Sequence, residues 1–435
     1  MKSDDALLAA WEETLARKGD APAIFDTRGE VLRTFREVEN RAQALESKIA
    51  HDALVHAIDI GNHPDWPSHL LAALRRQIVA LPLEGSITPQ QREAALAMCQ
   101  APPSASLLKL TSGTTAAPRA IRFRSEQLLA DCIQICDTMG IGPDDLNFAV
   151  IPLSHSYGFS NLVTPLLVRG VPIVLSRDRM PRAVLDDLAR TGATVFPGMP
   201  VFYQAFCEME NPPALPKLRL CISAGAPLSL EVARKFRERF QRSIHSFYGS
   251  SECGGICYDR EAALLESGFV GQPMRGVDVE LIEPNVPASR IRVRSAAAGD
   301  GYFPEPDEEK LGGGIFVPDD LLSAGAGGFR IVGRISDVIN VAGKKVNPAE
   351  VEAELLRFEG VRAAVVFGRE AIRRNEEVAA CVVADDGVRE IDLLEFCRGR
   401  LSGWQVPKRI FFVEEIPVNE RGKVNRRELA QRFSS

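Results

Sequence analysis

The chain lacks most of the features that would assign a protein at a glance. Its 52 lysines and arginines fall short of its 58 aspartates and glutamates, leaving a formal charge of -6. No run of like charge forms a tail, so a nucleic-acid surface is not expected. No apolar stretch approaches the length of a membrane span. The opening MKSDDALLAAWEETLARKGD reads as an acidic amphipathic helix and not as a charged-then-apolar leader, so a cytoplasmic location is expected. The nine cysteines are scattered; Cys253 and Cys257 have a suggestive spacing, but no second pair completes a zinc set, and reduced thiols are expected. A Walker loop is also missing, because no Gly-Lys pair precedes a Ser or Thr in the one loop that invites the comparison.

What is present is a chain of 435 residues, 45% hydrophobic and 25% charged, long enough for two or three domains with a large core. Between about 140 and 250, short runs rich in Val, Ile and Phe alternate with helical patterns. NFAVIPL (147–153), VPIVLS (171–176), ATVFP (193–197), LRLCIS (218–223) and SIHSF (243–247) read as strands, and PRAVLDDLAR (181–190) and LEVARKFRERF (230–240) as helices. That alternation predicts an α/β domain with a largely parallel sheet covered on both faces, whose ligands gather at the carboxyl ends of its strands. Near the front, HLLAALRRQIVALPL (69–83) reads as helix then strand. After about 276, VDVELI and RIRVRS alternate strictly, as in a small antiparallel or barrel-like section. The last hundred residues, with PAEVEAELLRF (348–358) and IDLLEFCRGRL as helices and KRIFFVEEIP (408–417) as a final strand, read as a separate α+β domain. The expected division is 1–333 and 334–435.

The loop that matters first is TSGTTAAPRA, residues 111–120, directly after the apolar run SASLLKL. Four hydroxyl residues around one glycine offer hydroxyls and a curled row of N–H groups suited to an anion, phosphate above all.

Several separated motifs, in order, resemble those of the AMP-forming adenylating enzymes, the superfamily of acyl-CoA synthetases, peptide-synthetase adenylation domains and luciferases. The likeness runs from about residue 105 to the end. Thr111, Ser112, Gly113, Thr114 and Thr115 match its phosphate loop, with Arg119 where relatives carry lysine; Ala116 and Ala120 replace two glycines and stiffen the loop. Gly225, Ala226 and Pro227 resemble the segment lining the adenine. In HSFYGSSECG, the resemblance gives Tyr248 and Gly249 to the adenine side, Ser251 to the phosphate or adenylate and Glu252 to Mg²⁺. It gives Asp320 to the ribose hydroxyls and Arg334 to the ribose or phosphate. Ser336 stands at the hinge, where relatives often have Asp or Lys, and Gly343, Lys344 and Lys345 open the loop used in the second half-reaction. Lys423, in PVNERGKVNRREL, matches the lysine that neutralises charge as a carboxylate attacks the α-phosphate.

The implied reaction uses ATP and Mg²⁺ to make an acyl-AMP, which a thiol then attacks while the smaller, mobile domain turns. The implied acid pocket draws on His155, in the position of the family's HxxG histidine, and on Tyr157, Phe159, Phe196, Gly198, Met199, Phe202 and Tyr203. No aspartate lies in 151–161 or 195–206 to meet an ammonium, so an uncharged aryl or fatty acid is expected over an amino acid. The expected thiol is that of coenzyme A; the phosphopantetheine of an acyl carrier protein is the alternative, with Arg369, Arg373 and Arg374 as candidate docking residues. A non-catalytic protein that binds a nucleotide or acyl-adenylate is the reading from another class. Retention of Glu252, Arg334 and Lys423 argues against it. Composition does not give the oligomeric state.

Overall fold

The computed structural model describes residues 4–111, 119–371, 375–417 and 424–433. The chain divides into two compact units. The first comprises Met1–Glu280, Arg292–Val317 and Gly325–Arg330; the second comprises Leu281–Ile291, Pro318–Ala324 and Ile331–Ser435.

In the first unit, six strands lie side by side and parallel: Ile244–Ser250, Leu220–Ser223, Val195–Gly198, Asn147–Ala149, Ile173–Leu175 and Pro22–Phe25. All residues of Leu220–Ser223 and Val195–Gly198 are buried, which is why their sequences are apolar without alternation. Antiparallel strands extend both edges, Val31–Thr34 on one side and Gly254–Tyr258 followed by Phe269–Pro273 on the other. A second sheet runs in the order Gly301–Phe303, Ala120–Phe123, Leu107–Leu110, Val79–Pro82, Val55–Ile58. Helix Ser125–Met139 presents Leu128, Cys132, Ile135 and Met139 to the core.

Local chemistry sets the helix limits. Asp5 accepts from the N–H groups of Leu7 and Leu8, and Thr34 with Glu37 makes a reciprocal cap for Phe35–Glu46. Pro181 starts and Gly192 stops Pro181–Thr191. Expected strands come out shorter than their apolar runs, most clearly the one at 147–153, which ends at Ala149, and the one at 408–417, which covers Arg409–Phe412. The first run continues into a buried or half-buried loop through Leu153, which periodicity does not separate from a strand, whereas the second gives way to the exposed Glu414 and Glu415.

The second unit is α+β. Its sheet runs Lys344–Val346, Ile339–Val341, Asn375–Ala384, Val361–Ala371, with Arg409–Phe412 added parallel to Asn375–Ala384. Val346, Val351, Leu355, Val366, Val382 and Leu393 form the core beneath helices Pro348–Leu355 and Glu390–Arg398. On the other face, Phe367 and Cys381 meet Leu429 of helix Arg426–Arg432. Arg426 fixes that helix to the unit: its guanidinium lies 2.9 Å from Asp337 Oδ2 and 2.8 Å from Glu352 Oε1, and its Nε donates to Val366 O at 2.9 Å.

Candidate active site

Because the central strands are parallel, four loops leave at one edge of the sheet. They follow Asn147–Ala149, Val195–Gly198, Leu220–Ser223 and Ile244–Ser250, and they carry His155, Met199, Gly225–Pro227 and Ser251–Glu252. The motifs separated by a hundred residues of sequence are thus neighbours by topology.

Side-chain bonds tie these loops together. Tyr157 donates through Oη to Gly198 O at 3.2 Å, with Ile222 O at 3.4 Å, joining the His155 loop to two strand ends. Burial pushes this phenol's pKa well up, so it stays a donor. Ser156 Oγ lies 2.9 Å from Ser251 Oγ, linking the same loop to the turn that holds Glu252. His155 Nδ1 accepts from Tyr157 N at 3.2 Å, so a neutral ring carries its proton on Nε2, the nitrogen able to donate to a carboxylate. Gly158 is required by space: a Cβ there would stand 2.1 Å from Pro152 O. Asn62, which the sequence reading passed over, holds the His155 loop from outside by donating to Ala149 O and Ser176 O and accepting from Leu153 N.

The turn that carries Glu252 is clamped from below. Asp131 accepts from Gly255 N at 3.0 Å and from Ser160 Oγ at 2.5 Å. Gly254, at φ +67°, lies so close that a Cβ would stand 1.9 Å from Asp131 Oδ1. Lys109, only 5% exposed, lies in the same interior with its Nζ 4.7 Å from the Phe123 ring centroid and 4.9 Å from that of Phe159. Burial draws its pKa down, and the carboxylates of Asp131 and Glu252 oppose that. The single lysine inside SASLLKL was the sequence signal for this group.

At the phosphate loop, Ser112, Gly113, Thr114 and Thr115 lie outside the described residues, which include Thr111 at one end of the loop and Arg119 at the other. Thr111 N and Oγ1 donate to Arg119 O at 2.8 and 3.1 Å, closing the base of the loop in register with Leu110 opposite Ala120. The Arg119 guanidinium sits 3.7 Å from the centroid of Tyr302, and Tyr302 Oη donates to Glu252 Oε1 at 3.2 Å. Nothing in the sequence marked Tyr302 out.

The expected aromatic wall divides. Phe196 is 0% exposed and packs on Phe148, Phe202, Tyr203 and Phe206; Phe159 is 1% exposed and meets Trp66 edge-on. Their faces are taken up by the core. Tyr203 is likewise enclosed, with its hydroxyl on Phe196 O and Ile222 O. Half-buried Met199 at the strand end and Tyr157 beside it are the expected wall residues with surface left. Tyr248 is buried, whereas Gly225, Ala226, Pro227 and Gly249 are exposed.

Within the second unit, Arg334 Nε is 2.7 Å from Asp320 Oδ1, so the two residues given to the ribose meet each other. Ser336 lies in the tight helical turn Ile335–Asp337. Gly343 has φ +84°, and Lys344 Nζ stands 4.1 Å from the ring centroid of Trp404. Arg369 is engaged by Glu377 at 2.5 Å, while Arg373, Arg374 and Lys423 lie outside the described residues.

Among the described residues no group of three or more His, Cys, Asp or Glu could cage a metal ion. Glu252 with the Ser251 hydroxyl beside it suits a hard cation that arrives already bound to phosphate oxygens, as Mg²⁺ does. Among the described residues, too, no helix is long and apolar enough to cross a membrane.

Comparison with known proteins agrees with this arrangement. Residues 101–303 match the model of the AMP-binding enzyme family, and residues 350–423 that of the AMP-binding enzyme C-terminal domain. A feruloyl-CoA synthase from Amycolatopsis sp is 31% identical over 343 residues, 75% of this chain and 70% of the relative. A 3,4-dihydroxybenzoate–(aryl-carrier protein) ligase from Bacillus anthracis is 28% identical, over 74% of this chain and 73% of its own. The ATP-bound crystal structure of MatB from Rhodopseudomonas palustris shares the fold with a TM-score of 0.85 at 22% identity, covering 98% of each chain.

Proposed function

Because the chain belongs to the AMP-binding enzyme family, we propose that it activates an uncharged aryl or fatty acid as acyl-AMP and passes the acyl group to the thiol of coenzyme A. The first half is the family's chemistry: ATP is spent to make an acyl-adenylate from a carboxylic acid. A carboxylate resists substitution because its leaving group would be oxide. A carboxylate oxygen therefore attacks the α-phosphorus, the bond to pyrophosphate breaks, and the acyl carbon acquires AMP as a leaving group. In the second half the thiolate sulfur bonds to that carbon and AMP departs.

The observation that carries this reading is the convergence of four motif-bearing loops on one edge of a parallel sheet, with the two ends of the phosphate loop pinned beside Glu252 through Tyr302. His155 Nε2–H orients the acid's carboxylate. Gly225–Pro227 and Tyr248 line the adenine, and Asp320 with Arg334 takes the ribose. Glu252 would hold Mg²⁺, which would draw negative charge off the phosphates, and Ser251 meets the phosphate or adenylate. Thr111–Thr115 and Arg119 hold the departing pyrophosphate, and Lys423 meets the charge on the α-phosphate in the transition state. The segment from Arg334 onward acts as a mobile lid, with Ser336 as pivot and Gly343–Lys345 serving the thiol step. For the acid, absence of an aspartate from both pocket segments is the support, together with the aromatic acid in the name of the feruloyl-CoA relative.

Pyrophosphate release with ATP, Mg²⁺ and a panel of short-chain, fatty and aryl acids tests the first half. AMP formation on adding coenzyme A, run beside phosphopantetheinylated carrier proteins, tests the second. Turnover only with carriers would replace coenzyme A as the acceptor. Folded protein that binds ATP yet releases no pyrophosphate with any acid would support a nucleotide-binding role instead.

A further inference from the structure

Tyr302 lies on the strand Gly301–Phe303, paired with Ile121 directly after the phosphate loop, and is only 7% exposed. One side chain there meets two groups of opposite charge. Its hydroxyl donates to Glu252 Oε1 at 3.2 Å, and its ring face lies 3.7 Å beneath the Arg119 guanidinium. The backbone repeats the link, because Gly299 N donates to Glu252 O at 2.9 Å. Arg119 is steadied at its far end by Glu305 O at 3.3 Å and by Asp307 at 3.8 Å. Its buried Nε has no hydrogen-bond partner among the described residues.

The choice of a phenol has a physical consequence at each end. A lysine or arginine on Glu252 would neutralise the carboxylate and compete with a cation for it. A neutral O–H orients the carboxylate without itself adding a positive charge to it. At the other end, an aromatic face attracts the guanidinium through its π-cloud without itself taking up an N–H donor, so that apart from the donor on Glu305 O the in-plane donors of Arg119 can meet phosphate oxygens.

We propose that Tyr302 is a positioning residue for the adenylation step, setting Glu252 for the nucleotide-bound cation with its hydroxyl and Arg119 for the phosphates with its ring. The inference rests on the adenylate-forming reading above and assigns to this side chain the spacing between the cation's carboxylate and the phosphate loop's arginine.

Calorimetry of ATP binding, once with Mg²⁺ and once with EDTA, separates the two ends without relying on turnover. Tyr302→Phe keeps the ring and loses the hydroxyl. It should bind ATP in EDTA as the wild type does, yet forfeit about tenfold of the tightening that Mg²⁺ brings, a loss suited to a hydrogen bond on a charged group. Tyr302→Leu should also weaken ATP in EDTA by roughly threefold to tenfold through the lost cation–π contact. In a Glu252→Gln background, Tyr302→Phe should have no further effect on the Mg²⁺ term, because the hydroxyl acts through that carboxylate. Equal weakening of Tyr302→Phe in both buffers would reduce Tyr302 to a packing residue and overturn the proposal, as would wild-type Mg²⁺ tightening in that variant. A wild-type protein that binds no ATP in either buffer would overturn the adenylation reading itself, and this inference with it.

Discussion

Arg334 Nε lies 2.7 Å from Asp320 Oδ1, although fourteen positions separate them in the chain and Asp320 is only 8% exposed. The pair joins the strand Asp320–Gly325 to the end of Gly328–Arg334. Arg334 remains about half exposed, so water screens the interaction and its contribution to stability is small, about 0.2–1 kcal/mol. Function and stability should therefore separate here. Asp320→Asn should raise the KM for ATP by roughly tenfold, the scale of a lost hydrogen bond to a charged group, while thermal unfolding barely moves. A large fall in Tm with an unchanged KM would assign the pair to folding alone.

The neighbourhood of Lys423 permits a similar separation. Lys423→Ala should leave unfolding unchanged and cut adenylation by orders of magnitude, yet spare thioester formation from supplied acyl-adenylate, since its charge matters only while the α-phosphate is attacked. Arg426→Ala should do the reverse first. It removes the guanidinium that Asp337 and Glu352 share and should cost about 1–3 kcal/mol, less than a fully enclosed pair because Arg426 is partly solvated. Denaturant melts and the two half-reactions, measured on both variants, check this.

Gly158→Ala adds a single methyl group against a backbone oxygen, with 2.1 Å available. The carbonyl of Pro152 belongs to the loop that presents His155, so relief of the clash must move that loop. A loss of about 1–3 kcal/mol in urea unfolding is expected, with a higher KM for the acid than for ATP. Wild-type stability in this variant would mean the loop has room that the structure does not show.

Acid should destabilise the first unit through a histidine pair. His56 Nε2 and His69 Nδ1 are 2.8 Å apart with their rings stacked, an arrangement that holds only one proton between them. Burial and the neighbouring His56 pull the His69 pKa from 6.5 to about 4, with Asp65 opposing; burial lowers that of His56 as well. The folded state therefore binds this proton less readily than the unfolded chain. Its stabilising effect is complete above pH 6.5 and is lost as pH falls toward about 4. Discounted for partial solvation, His69 accounts for about 2 kcal/mol of that loss. Urea midpoints of the wild type and His69→Gln across this window should converge as the pH drops; parallel curves would remove the pair from the account.

The amino-acid order alone determined the parts that depend on near neighbours. Apolar runs without alternation at 195–197 and 220–222 announced strands buried on both faces, and Pro181 with Gly192 bounded a helix, because burial period and backbone restriction act over a few residues. The motif loops were legible for the same reason: each is a short strand-then-turn segment, and a parallel sheet must deliver such turns to one edge. The tertiary structure alone decided what each side chain faces. The Glu252 hydroxyl donor comes from Tyr302, fifty positions away, and the clamp on its turn comes from Asp131, 124 positions before Gly255. Tyr157 spends its hydroxyl on two strand ends, Phe159 and Phe196 pack inward, and Asp320 meets Arg334. None of these follows from spacing. Residue type and periodicity specify which face of an element is buried, but the partner across the interface is fixed only when the sheets and helices pack, and the orientation of a buried polar group is then set by which donor or acceptor lies within hydrogen-bond reach.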